Sequence, residues 1–181
     1  MTDLRPLWVF GYGSLLWNPS FVPAEAVVAH LPGYRRSFCM LSIHHRGTED
    51  QPGLVLALDR DEGADCTGVA FRVADNAADA VLAMLREREL ISSAYLERVV
   101  GLVLPDGRAV QALAYVIDPD HRQYCRFGLE IQAQMIARST GGRGPNTEYL
   151  INTANHLAQI GIHDDDLNWL VTRVGQIANS A

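Results

Sequence analysis

At 181 residues, with 48% hydrophobic and 20% charged side chains, the chain is long enough for one well-buried core and short for two, so a single domain over residues 1–181 is expected. A formal net charge of -6 with no compensating basic run excludes a nucleic-acid or anionic-membrane surface as the main partner. No apolar stretch has the length a bilayer requires, and no apolar segment follows positive charge at the N-terminus, so a cytoplasmic location is expected.

In chain order, Leu7, Val9 and Phe10 read as a buried strand that runs into Gly11-Tyr12-Gly13-Ser14-Leu15. Gly11 and Gly13 can take positive φ there and let main chain approach a ligand, although such a pair is more often a plain turn. Leu16 stands where a dinucleotide fingerprint needs its third glycine, no Gly-Lys-Ser/Thr follows, and Ser14 lacks the glycine spacing of an esterase nucleophile. Arg35 to His45 reads as a strand entering a loop over His44 to Pro52, and Gly53 to Asp59 and Cys66 to Val73 as two further strands. Asp75-Asn76 offers a cap for a helix over Ala77 to Leu90, which is free of Gly and Pro. Tyr95 to Leu104 and Arg108 to Asp118 flank Pro105-Asp106-Gly107 and predict an antiparallel hairpin. From Leu129 the pattern turns helical. Gly141 to Pro145 reads as a surface loop or a lid, Asn146 precedes a helix closed by Gly161, and Asp164 to Asp166 cap a last helix striped by Leu167, Leu170, Val171, Val174 and Ile177. Strands first and helices last predict an α+β fold.

On the helix from Ala77, the residues Ala78, Leu82, Leu85 and Glu89 share one face, so Glu89 sits in the apolar stripe while Glu87 points to the polar side. A buried carboxylate is either paired, with Arg36, Arg46 or Arg88 as candidates, or pushed to a higher pKa, the state that general acid–base work at neutral pH requires. Arg46 could hold a substrate carboxylate or be a solvated charge, and Tyr149 could aim its hydroxyl into a site or serve as core packing. No metal site is expected. His44 and His45 are neighbours that a strand sends to opposite faces, and His163 before Asp164-Asp165-Asp166 is better explained by capping. Cys39, Cys66 and Cys125 are odd in number and lack Cys-x-x-Cys spacing, so buried, reduced thiols are expected.

The glycine loop, Arg88-Glu89 followed by Tyr95, and Asn146-x-x-Tyr149-Leu150 together resemble the ChaC family of γ-glutamylcyclotransferases over nearly the whole chain. The opening Phe10-Gly11-Tyr12-Gly13-Ser14-Leu15-Leu16-Trp17-Asn18-Pro19 is the most specific part of the likeness. The resemblance implies a small mixed-sheet barrel with helices packed around it. It also implies cleavage of glutathione to 5-oxoproline and cysteinylglycine without a cofactor, with Glu89 of the Arg-Glu pair as the catalytic glutamate. Tyr12, Gly13, Ser14 and Leu15 would supply main-chain donors, with Arg46 and Tyr149 as further substrate contacts. The same cyclisation on other γ-glutamyl amines or peptides, and a non-catalytic module that binds γ-glutamyl metabolites, are the alternatives. Leu90-Ile91-Ser92-Ser93-Ala94 lacks the glycine often found before that tyrosine, which bears on the shape of the loop.

Overall fold

The computed structural model describes residues 4–181. Its elements are β1 (Trp8–Gly11), a 3-10 turn (Ser14–Leu16), β2 (Glu25–Ser42), β3 (Gly53–Arg72), a second 3-10 turn (Asp75–Ala77), α1 (Ala78–Glu89), β4 (Tyr95–Val103), β5 (Ala109–Ile117), α2 (Leu129–Arg138), β6 (Thr140–Gly141), β7 (Gly144–Pro145), α3 (Asn146–Gln159) and α4 (Asp165–Asn179). Strands β1 to β5 close a barrel in the order β1-β3-β2-β4-β5. The sheet is mixed: β1 runs parallel to β5 and antiparallel to β3, and β4 and β5 form the expected hairpin, turning at Gly107 with φ 85°. The α+β class and the mixed barrel implied by the resemblance are therefore both present.

The chain divides into two compact units, one of residues up to Ser37 with Leu58–His121, the other of Phe38–Ala57 with Arg122–Ala181. The first has two apolar cores. Inside the barrel, alternate residues of each strand meet: Phe10 from β1, Ala29 and Leu31 from β2, Leu58 and Ala70 from β3, Leu102 from β4 and Ala112 from β5. On the other side of β1 and β5, α1 lays Ala78, Val81 and Leu85 against Val9, Leu113 and Tyr115. In the second unit α2 packs on both α3 and α4, with Ala133, Ile136, Leu150, Leu157, Leu167, Leu170 and Val174 buried.

Several boundaries differ from those read in the sequence. β2 begins at Glu25, ten residues ahead of Arg35, and Gly33 takes φ 82° within it, so that one strand carries both Pro32 and Gly33. β3 is one strand of 20 residues rather than two. The stretch between the two expected strands is tied to its neighbour strand by ion pairs, Asp61 with Arg35 at 3.8 Å and Asp65 with His30 at 3.0 Å. Asp75 and Asn76 do not cap α1; they lie in a 3-10 turn that leads into it. The stretch from Gly141 to Pro145 is a short β6–β7 hairpin, not an open loop, and it is bonded to the chain at residues 44–45 through Gly142 N–H to His44 O and Arg143 N–H to His45 O. At α4 the expectation holds: Asp164 Oδ1 accepts from Leu167 N–H at 2.9 Å. All three cysteines are buried and outside any disulfide.

The reading of Gly11 and Gly13 as positive-φ positions is corrected, and Gly11, like Gly68 beside it, is required by contact rather than by φ. Neither has positive φ. A Cβ on Gly11 would stand 2.9 Å from Phe71 Cε2, and one on Gly68 would run into the carbonyl oxygen of Gly11 and the Phe10 ring. Gly68→Ala is expected to cost about 1–3 kcal/mol, because the obstacle is partly neighbouring backbone. A urea midpoint lowered at unchanged slope checks it.

Candidate active site

The glycine loop is anchored from beneath. Tyr12 is 8% exposed and its ring belongs to the barrel core, so its contribution to a site falls to the main chain. Arg36, 6% exposed, donates to Tyr12 O at 3.1 Å and Thr67 O at 2.9 Å and so fixes the loop on β3. Gly13 then starts the 3-10 turn by accepting from Leu16 N–H at 2.9 Å. The N–H groups of Ser14 and Leu15 precede the first bond within that turn, as at any helix start. A Cβ built on Gly13 meets nothing within 4 Å, so the main chain there is open to close approach. Ser14 is exposed, and Leu15 is buried against α1.

Glu89 is the last residue of α1, with its side chain 15% exposed. Both readings of its buried carboxylate apply at once. It is paired, with Arg88 Nε 3.2 Å from Oε1, and Arg88 is the partner among the three arginines the sequence offered. Its pKa is nevertheless raised, because burial outweighs the pull of Arg88. Glu87 is exposed, as its place on the helix predicts. After the helix, Ser93 takes φ 55°, so a serine holds the left-handed conformation in a stretch where the resemblance leads one to expect glycine.

The raised pKa carries a consequence for stability. Glu89 is harder to ionise folded than unfolded, so it costs nothing below the ordinary carboxylate range and destabilises the fold progressively as pH rises through its raised value. Glu89→Gln is therefore expected to raise Tm at neutral pH, with the gain vanishing in acid below the unfolded pKa. Melting curves across pH check this.

Beside Glu89 lies a cluster that the sequence reading did not single out. Tyr115 on β5 donates its hydroxyl to Glu97 Oε2 at 3.3 Å, and Arg86 on α1 holds the same carboxylate with Nη2 2.7 Å from Oε1. The Arg86 hydrogen bond, opposed by partial burial, holds Glu97 below its usual range. Burial first, then the charge of Glu97 and more weakly that of Glu89, push the Tyr115 phenol far above its usual value. Tyr115 therefore stays neutral. Glu97 and Tyr115 are directly opposed in the β4–β5 register, so the hairpin itself carries the signal that joins them.

In the second unit, Arg46 and Tyr149 meet. The guanidinium of Arg46 lies 5.8 Å from the centre of the Tyr149 ring, 3.7 Å from Glu148 Oε1, and donates to Pro145 O at 3.2 Å. The buried Tyr149 hydroxyl accepts from Leu56 N–H at 3.2 Å, and its ring meets Phe38 edge-on at 6.1 Å between centres. Burial, followed by the charges of Arg143, His44 and Arg46, holds His45 below its usual pKa, which marks this stretch as cationic. Asn146 is the first residue of α3 rather than the one before it, and it is fully buried. It accepts from Leu54 N–H at 2.7 Å and donates to Leu54 O at 2.8 Å.

The closed mixed barrel with its surrounding helices defines an α+β protein, and it carries a shielded, hard-to-ionise carboxylate at a helix end, tied by its arginine neighbour to a glycine loop. The chain belongs to the ChaC-like protein family, whose model matches residues 7–177. It is 39% identical to a glutathione-specific gamma-glutamylcyclotransferase of Escherichia coli (strain K12), over 97% of this chain and 75% of that protein. It is 32% identical to gamma-glutamylcyclotransferase 2-3 of Arabidopsis thaliana, over 97% of this chain and 92% of that protein. In fold it is similar to a yeast gamma-glutamyl cyclotransferase specific to glutathione, with TM-score 0.82, 24% identity, and coverage of 97% of this chain and 98% of that one. Among the described residues, no helix is long and apolar enough to cross a membrane.

Proposed function

We propose that this chain is a glutathione-specific γ-glutamylcyclotransferase that converts glutathione to 5-oxoproline and cysteinylglycine. Family membership and the names of its relatives support that substrate. The observation that carries the chemistry is Glu89, a carboxylate 15% exposed whose pKa burial raises. The reaction requires the α-amino nitrogen of the γ-glutamyl group to lose a proton and attack its own γ-carbonyl. The new C–N bond closes a five-membered lactam as the bond to the cysteinyl nitrogen breaks. Glu89 takes the proton from the ammonium and returns one to the departing amine, a role worth about 10²- to 10⁴-fold. The main chain of Tyr12, Gly13, Ser14 and Leu15 donates to the substrate carboxylate or the developing oxyanion, each good donor being worth about 10²-fold or more. Since the substrate carries its own nucleophile, the protein has only to hold it in near-attack geometry.

On the second unit the proposal is that Arg46, in its cationic stretch and backed by the Tyr149 ring, takes a carboxylate of the substrate. The family match runs through both units, which supports treating 1–181 as one functional domain, and a cytoplasmic location is part of the same reading. The test is product analysis with purified protein. Glutathione should give 5-oxoproline and cysteinylglycine in equal amounts. Free glutamate would mean hydrolysis instead, faster turnover of γ-glutamyl amines or dipeptides would move the substrate to those compounds, and binding without turnover would make the chain a non-catalytic module.

A further inference from the structure

Arg88 makes contacts that helix geometry alone does not create. Neighbouring residues on a helix point about 100° apart, so an Arg-Glu pair at adjacent positions does not meet by default. Here the guanidinium is drawn back over the end of α1. Nη1 donates to Asn18 O at 2.7 Å and to Ser20 Oγ at 2.9 Å, Nη2 donates to Ser14 Oγ at 3.1 Å, and Nε lies 3.2 Å from Glu89 Oε1. The segment that receives these bonds is itself held in a costly shape. Ser20 is not glycine yet has φ 64°, a left-handed conformation worth about 1–2 kcal/mol of strain. Its hydroxyl also donates to Asn18 Oδ1 at 3.3 Å. A planar fork with diverging N–H groups can span these acceptors and the carboxylate together; a lysine ammonium supplies the charge without that reach.

We propose that Arg88 is a positioning residue that couples the glycine loop to Glu89, one guanidinium setting both the Ser14–Ser20 segment and the neighbouring carboxylate in a single frame. This rests on the reading of Glu89 as the base. With Arg88 in place, the donors of the loop and the proton acceptor cannot drift independently, which is what an intramolecular cyclisation needs of a small site. The groups that face Glu89 are Arg88 from α1 and Tyr115 from β5, with Glu97 of β4 and Arg86 of α1 behind Tyr115. Arg88 is the cation in direct contact among them, so its loss leaves burial unopposed and moves the Glu89 midpoint to higher pH.

The test compares Arg88→Gln and Arg88→Lys with wild type. It reads the acid limb of kcat/KM for 5-oxoproline release and, separately, the Glu89 carboxyl titration by ¹³C NMR, with melting curves confirming the fold. Arg88→Gln is expected to lose about 10²-fold in kcat/KM, with both midpoints displaced upward together. Arg88→Lys should hold the NMR midpoint near that of wild type yet keep most of the loss in rate, and it serves alone if the glutamine variant does not fold. Full activity in Arg88→Lys, or an unmoved Glu89 midpoint in folded Arg88→Gln, overturns the coupling. Absence of 5-oxoproline release by wild type sinks the functional reading instead, while the NMR titrations still decide whether Arg88 governs Glu89.

Discussion

Glu89→Gln is expected to abolish most of the release of 5-oxoproline from glutathione, by about 10²- to 10⁴-fold in kcat/KM, while the protein stays folded. Glutamine keeps the size of the side chain and its place at the end of α1, so Val81 and Leu85 continue to pack and Arg88 retains its bonds to Asn18, Ser14 and Ser20. What disappears is the ability to accept a proton. The substrate amine is then left as an ammonium without a lone pair for attack, and the departing cysteinyl nitrogen has no donor. The same change relieves a buried charge, so the inactive protein should be the more stable one at neutral pH, a trade expected where a site keeps an ionisable group out of water. Loss of activity with an unchanged or raised Tm separates lost chemistry from lost fold. A variant that turns over glutathione at the wild-type rate would remove Glu89 from the mechanism.

The largest effect on stability is expected from Asn146→Ala. Its side chain serves Leu54 from both ends, accepting from the N–H and donating to the carbonyl, and both residues are 0% exposed. Alanine leaves two buried main-chain groups without these partners, each worth about 1–3 kcal/mol, so a total of about 2–6 kcal/mol follows. Gly53 adds to the cost of any repair, since a Cβ there would stand 2.6 Å from Asn146 Oδ1, which shows how closely the two chain segments approach. Asn146→Asp should recover only the bond from Leu54 N–H, because a carboxylate cannot donate to the carbonyl. Denaturant unfolding of the variants checks both values.

Much of this was legible in the sequence where one local rule acted alone. α1 lies within one residue of its expected ends because its good helix formers run without Gly or Pro, and the β4–β5 hairpin follows from Pro105-Asp106-Gly107. The burial of Glu89 followed from its stripe with Ala78 and Leu85. Where tertiary contact overrode a local signal, the reading failed. Residues 25–34 of β2 and 60–65 of β3 were assigned to no strand, because neither neighbouring strand was in view. Gly11 looked like a conformational device, whereas the reason for it is Phe71, sixty residues on. Arg36 was considered only as a partner for Glu89 and not as the anchor of the glycine loop, and the Arg86–Glu97–Tyr115 cluster escaped notice, since each depends on pairing across elements, although the hairpin register already placed Glu97 opposite Tyr115. Asn146 was read as a helix boundary and as part of the Asn146-x-x-Tyr149-Leu150 element, not as a link to Leu54, because a side chain bonding another segment's backbone leaves no periodic trace.

The central claim is that a shielded Glu89 is the base, and its titration is the most direct test. ¹³C NMR of the Glu89 carboxyl, assigned by comparison with Glu89→Gln, would be set beside the acid limb of kcat/KM, which reports essential groups of the free enzyme. The account predicts one shared midpoint, above the ordinary carboxylate range, and loss of that limb from whatever activity the glutamine variant retains. A Glu89 that titrates as an ordinary exposed carboxylate, or an acid limb whose midpoint departs from that of Glu89, would contradict it.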